Sequence, residues 1–144
     1  MKLLKITPEG EFSIVETTRE FFLNTCHREI SCTCIEMPGT LLNDVGLQLI
    51  VDESGLLKED PKVNFLPWYW YSQCHIEAPI VGTVLIGRLE RVGEYRELDI
   101  VGLTDRDIEY LKEWEVSAAA TYAEVVKRYL GWDWKSCKVL KVWS

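Results

Sequence analysis

Ile80-Val81-Gly82-Thr83-Val84-Leu85-Ile86-Gly87 is the stretch on which the reading of the fold turns. It is a nearly continuous apolar run, and such a run marks a central strand covered on both faces. It predicts a strand over Pro79–Leu89, in which Gly82 permits close packing or a bulge. Gly46–Val51 reads as a second strong strand, closed by Asp52-Glu53-Ser54-Gly55. Ile30–Met37 reads as a third, stopped by Pro38-Gly39, and Tyr95–Val101 as a fourth. Leu3–Ile6 and Phe12–Val15 flank Thr7-Pro8-Glu9-Gly10. In that turn Pro fixes φ and Gly admits positive φ, so a hairpin is expected.

Helices are expected between and after these strands. Thr17 with Glu20 has the spacing of a capping box, which predicts a short helix through Phe21, Phe22 and Leu23 ending near His27. Thr104-Asp105-Arg106-Asp107 opens a second helix, with Thr104 as N-cap and acids in the first turn. Ile108, Leu111, Trp114, Ala118, Tyr122, Val125 and Tyr129 then recur every three or four residues as one apolar stripe. Gly131 supplies a C-cap, Ser117 is a point at which the stretch could divide, and Val139–Trp143 could add a last strand. Leu56–Glu77 is the least regular part and reads as a long loop or a short helix. The expected fold is α+β: a mostly antiparallel sheet of about five strands, with a short N-terminal helix and a long C-terminal helix packed on one face. Residues 1–144 read as a single domain, a core over 1–110 followed by a helix and C-terminal extension over 111–144.

Composition narrows the classes of function. The net charge is −7 and charged residues make up 27% of the chain. Nucleic-acid binding draws on clustered Lys and Arg, so it is disfavoured for the chain as a whole. The charge is nevertheless polarised. Glu90–Glu115 holds nine acids against four bases, and Lys127–Lys141 holds five bases against one acid. The acidic stretch reads either as a solvated face or as a docking face for a basic partner. Met1–Ile6 carries two lysines with no long apolar run after it, so no secretory leader is expected. No segment approaches the roughly 20 apolar residues that span a bilayer, and no membrane association is expected. The five cysteines form no evenly spaced framework; free thiols in a reducing cytoplasm are the simplest account.

Three sets of residues resemble a known family. They are Gly46-Leu47-Gln48-Leu49-Ile50-Val51-Asp52-Glu53-Ser54-Gly55-Leu56-Leu57 with Asn64 after it, Pro79-Ile80-Val81-Gly82-Thr83-Val84-Leu85-Ile86, and Leu103-Thr104-Asp105-Arg106-Asp107-Ile108. In this order they resemble the DUF3846 family of bacterial and phage proteins of unknown function, over residues 1–110. The resemblance implies a mobile-element setting, such as a phage, prophage or plasmid accessory gene. It supplies no catalytic residue.

The residues that bear chemistry are few. Cys32, Cys34, Cys74 and His75 are the candidate ligands of a structural zinc, which takes four Cys or His tetrahedrally. No Cys-x-x-Cys knuckle accompanies them, and buried thiols are the simpler reading. Cys26 beside His27 and Cys74 beside His75 are neighbours in sequence, and neighbours on a strand or helix diverge rather than face each other. No Gly-rich phosphate loop occurs. Trp68, Tyr69, Trp70 and Tyr71 form an aromatic cluster that serves either the core or, if exposed, a partner. With Asp105 and Asp107 they are the candidate partner-binding residues. No cofactor is expected. The favoured function is a non-enzymatic binding protein with a protein partner. A small enzyme with a Cys/His site and a nucleic-acid accessory protein using Lys135, Lys138 and Lys141 are the alternatives.

Overall fold

The computed structural model describes residues 1–75, 78–115 and 117. Six strands build its sheet: β1 (Lys2–Ile6), β2 (Phe12–Glu16), β3 (Ile35–Glu36), β4 (Leu47–Asp52), β5 (Val84–Val92) and β6 (Glu97–Val101). Three α-helices accompany them among the described residues: α1 (Phe22–Ile30), α2 (Phe65–Ser72) and α3 (105–115). Every strand pairing is antiparallel, and the class is α+β.

The sheet runs β2-β1-β5-β4-β3, and β6 also pairs with β5. The long strand β5 makes this possible. Its first residues, Val84–Ile86, pair with β1, and its later ones, Arg88–Val92, pair with β6. Thus β1 and β6 lie end to end along one side of β5, with β4 on the other. At the joint, the Leu103 N–H donates to the Lys2 carbonyl at 2.8 Å.

Side chains alternate across the sheet, and both faces are covered. Leu4, Ile6, Leu49, Val84 and Ile86 pack with Trp68 and Trp70 of α2 and Leu111 of α3. Leu3, Val15, Ile50 and Leu85 pack on the opposite side with Cys26 and Ile30 of α1. Helices therefore lie on two faces rather than one.

Several elements differ from the expectation. The strand over Ile30–Met37 shrinks to Ile35–Glu36, because α1 continues through Ile30. Cys26 and Ile30, one turn apart, are both buried there. Ser31 then ends the helix in the left-handed region at φ 60°, and Cys32 N–H returns to the His27 carbonyl. The capping box at Thr17 and Glu20 does not form. The Thr17 hydroxyl instead meets that of Thr25 at 2.7 Å, and α1 starts at Phe22 without a side-chain cap. The strand expected over Pro79–Leu89 starts only at Val84, because Gly82 turns the chain at φ +78°. Within Leu56–Glu77 the aromatic segment is helical. Pro67 sits in the first turn of α2, where its missing N–H breaks no helical bond. The expected continuation through Ala118, Tyr122, Val125 and Tyr129, the Gly131 cap and the Val139–Trp143 strand lie outside the described residues.

One buried side chain joins these parts. Asn64 donates both hydrogens of its amide, to the Ile6 carbonyl and to the Gly82 carbonyl, each at 3.0 Å. Its backbone N–H donates to Ile80 at 2.9 Å, and its carbonyl accepts from Trp68 in the first turn of α2. The end of β1, the approach to β5 and the start of α2 are thereby held at one point.

The joint between β1 and β6 carries a prediction. A Cβ on Gly102 would lie 2.7 Å from Met1 Cβ and 2.9 Å from the Lys2 backbone nitrogen, well inside contact distance. Gly102→Ala should lower stability to urea by about 2 kcal/mol, in the range of overpacking, with β1 and β6 forced apart. Unfolding curves of the two proteins measure it.

Candidate functional site

The β5–β6 hairpin projects beyond the rest of the sheet. Pairing with β4 ends at Arg88, followed by one bond from Leu89 N–H to the Gly46 carbonyl. From Glu90 to Leu98 the hairpin has neither β4 nor β1 beside it. Cross-strand partners share a face. Arg88, Glu90 and Val92 therefore lie with Val101, Asp99 and Glu97 on the α3 side, and Leu89 and Arg91 lie with Ile100 and Leu98 on the α1 side. Leu98 is 59% exposed and Tyr95, in the turn, is 83% exposed. Exposed Glu90 and Glu97 lie on the α3 side and Glu94 in the turn, while exposed Arg91 is the cross-strand partner of Leu98 and exposed Arg96 follows Tyr95. The ribbon thus has an acidic face, a partly apolar face and an exposed aromatic tip.

Its base is clamped. Arg88 donates from Nε to Asp107 Oδ2 at 2.7 Å and from Nη2 to Oδ1 at 2.5 Å, a two-point grip. Asp107 also accepts from the Thr104 N–H, and its own N–H returns to the Thr104 hydroxyl, which closes a capping box at the start of α3. The hydrogen bonds from Arg88 hold the Asp107 carboxyl below the ordinary carboxylate range, against the opposing effect of burial. The same bond raises the Arg88 guanidinium. A second ion pair, Arg19 with Asp99, ties the segment before α1 to β6. The other Asp99 oxygen, Oδ1, accepts from Ile100 N–H.

The candidates named from sequence are scattered. Trp68 and Trp70 are buried in the core and unable to meet a partner. Tyr69 and Tyr71 are half-buried, Tyr69 tilted against Trp114 and Tyr71 stacked on His75 at 4.4 Å. The Trp70 ring stands edge-on to Trp114 at 5.6 Å, and among the described residues its N–H has no hydrogen-bond partner. Asp105 is exposed on α3, whereas Asp107 is buried and spent on Arg88, which removes it from any docking face.

Cys34 and Cys74 are exposed and Cys32 is half-buried; all are free thiols, as is the buried Cys26. Burial, then the neighbouring Cys32, pushes the Cys26 thiol up to about 11. Burial and then Asp52 raise Cys32, against the pull of Lys58. Neither is poised as a thiolate. Among the described residues no three His, Cys, Asp or Glu side chains are grouped to hold a metal ion, so Cys32, Cys34, Cys74 and His75 do not converge. Lys135, Lys138 and Lys141 lie outside the described residues.

No protein-family model, curated protein or solved structure matches this chain. The surface is therefore read from its own geometry. No helix among the described residues is long and apolar enough to cross a membrane.

Two features escaped the sequence reading. Thr104-x-x-Asp107 has capping-box spacing, and Arg88 is a charge at the end of an apolar strand; the two signals together mark the clamp. Leu98 and Tyr95 carry no local signal, since their exposure depends on where β4 and β1 stop.

Asp107→Asn should cost about 2–3 kcal/mol at neutral pH, between the values for buried and exposed pairs, because half-exposed Arg88 loses its partner. A lowered carboxyl adds stability above the ordinary carboxylate range and loses it as pH falls through the folded-state value. The gap between the two proteins should therefore close in acid, as urea unfolding across pH would record.

Proposed function

We propose that the protein is a non-enzymatic binding domain that takes a basic segment of a partner protein on the projecting β5–β6 hairpin. The observation that carries this reading is the hairpin itself: a two-stranded ribbon that leaves the sheet with Leu98 and Tyr95 exposed and with Glu90 and Glu97 exposed on its α3 face. Exposed aromatic and aliphatic side chains anchor interfaces. Glu90 and Glu97 on the α3 side, with exposed Asp105 and Glu109 on α3, steer and select a positively charged partner. The acidity that disfavours nucleic acid favours such a protein partner. A phage, prophage or plasmid setting rests on the DUF3846 resemblance, and a cytoplasmic one on the four free thiols.

The experiment is a titration with a short peptide of alternating Lys and Val. Binding should weaken as salt rises. The double variant Glu90→Lys/Glu97→Lys should bind about tenfold more weakly or worse, with unchanged thermal unfolding because both side chains are exposed. Equal binding by the variant contradicts the reading.

A further inference from the structure

We infer that the partner binds by strand addition to the outer edge of β6, at Leu98; this rests on the reading above and specifies its mode. In an antiparallel strand, successive residues point their N–H and C=O alternately to the two sides. Leu89 N–H bonds Gly46 on the β4 side of β5. Leu89 and Arg91 therefore face β4, and Arg88, Glu90 and Val92 face β6. Their partners Val101, Asp99 and Glu97 use their backbone groups on β5. Leu98 and Ile100 must then direct theirs outward.

The two outward residues are treated differently. Ile100 N–H is already satisfied by Asp99 Oδ1 at 2.8 Å, and Asp99 is held in turn by Arg19. That arrangement closes the inner end of the edge. Leu98 has no such cover: among the described residues no strand pairs with the outer side of β6. Its N–H and C=O stand where an incoming extended chain places its own. Edges of this kind are ordinarily blunted by Pro, by a bulge or by charged side chains; positions 96–98 carry no Pro, and their charges, Arg96 and Glu97, leave the outward backbone of Leu98 without a steric block.

The chemistry of the occupant follows from the two faces. An added strand alternates its side chains across the ribbon. On the α3 side they meet Glu97, with Glu90 one strand further in, and on the α1 side they meet Leu98. The fitting segment is extended and alternates basic with apolar residues. The backbone bonds supply affinity and the alternation supplies selectivity.

The test uses the full chain and the peptide of alternating Lys and Val. Hydrogen exchange at the Leu98 amide should be fast in the free protein and slowed by at least about tenfold in the complex. Leu98→Pro removes only an outward N–H, which edge strands tolerate, and should weaken binding by about tenfold or more. Leu98→Val, which keeps the N–H and an apolar side chain, should lose clearly less affinity than Leu98→Pro. Should Leu98→Pro fail to fold, the exchange measurement on the unaltered protein decides alone. A Leu98 amide that is already protected in the free protein, or whose exchange the peptide does not change, overturns strand addition. So does full binding by Leu98→Pro; if Glu90→Lys/Glu97→Lys still abolishes binding, the acidic surface stands and only the mode falls. Absence of binding to the unaltered protein overturns both.

Discussion

The amide group of Asn64 is the constraint on which the rest of the structure depends. A buried carbonyl without a donor costs about 1–3 kcal/mol. The Gly82 carbonyl lies in the turn before β5, outside the ladder, and the Ile6 carbonyl, at the last residue of β1, faces β5 opposite Val84. Asn64 satisfies both from one nitrogen. A side chain with two donors on one atom is what this geometry requires, and Asn and Gln are the neutral residues that supply it. With the backbone bonds to Ile80 and Trp68, it determines where β1 ends, where β5 begins and how α2 lays its tryptophans on the sheet.

The projecting hairpin is a consequence at the far end of the same strand. Because β5 is anchored beside Asn64, its length past β4 becomes projection rather than slack. Arg88 then serves as the boundary between core and ribbon. Its guanidinium ties the last residue of β5 that β4 pairs with to the capping box of α3, and Gly102 lets the return strand meet β1 head-on. Beyond that boundary most side chains are exposed, and among the described residues no strand pairs with the outer edge of β6.

Much of the sheet was legible because its signals are local. The apolar alternation of Leu47–Val51, the turn at Thr7–Gly10 and the Thr104 cap each depend on residues close in sequence. The strand at Ile30–Met37 misled because Ile30, Cys32 and Cys34 alternate with Ser31 and Thr33 at strand period, while Ile30 instead completes the buried face that Cys26 begins on α1. The aromatic cluster was legible as a cluster but not as core, since burial of Trp68 and Trp70 depends on β1 and β5 lying beneath them. Asp107 read as a surface acid because its partner, Arg88, lies across a turn of chain that no spacing rule spans. The exposed edge at Leu98 could not be read at all, as it reflects where two other strands stop.

The central claim is that Asn64 holds the fold through two donated hydrogens, and the substitution Asn64→Asp tests it most directly. Shape is kept, but a carboxylate oxygen now faces the Ile6 and Gly82 carbonyls. Urea unfolding at neutral pH should show a loss of about 3 kcal/mol or more, from the lost hydrogen bonds and a buried charge set against two carbonyls. Part of it should return as pH falls and the protonated acid donates one hydrogen bond again. An Asn64→Asp protein within about 0.5 kcal/mol of the original, the range of an ordinary surface change, would contradict the account.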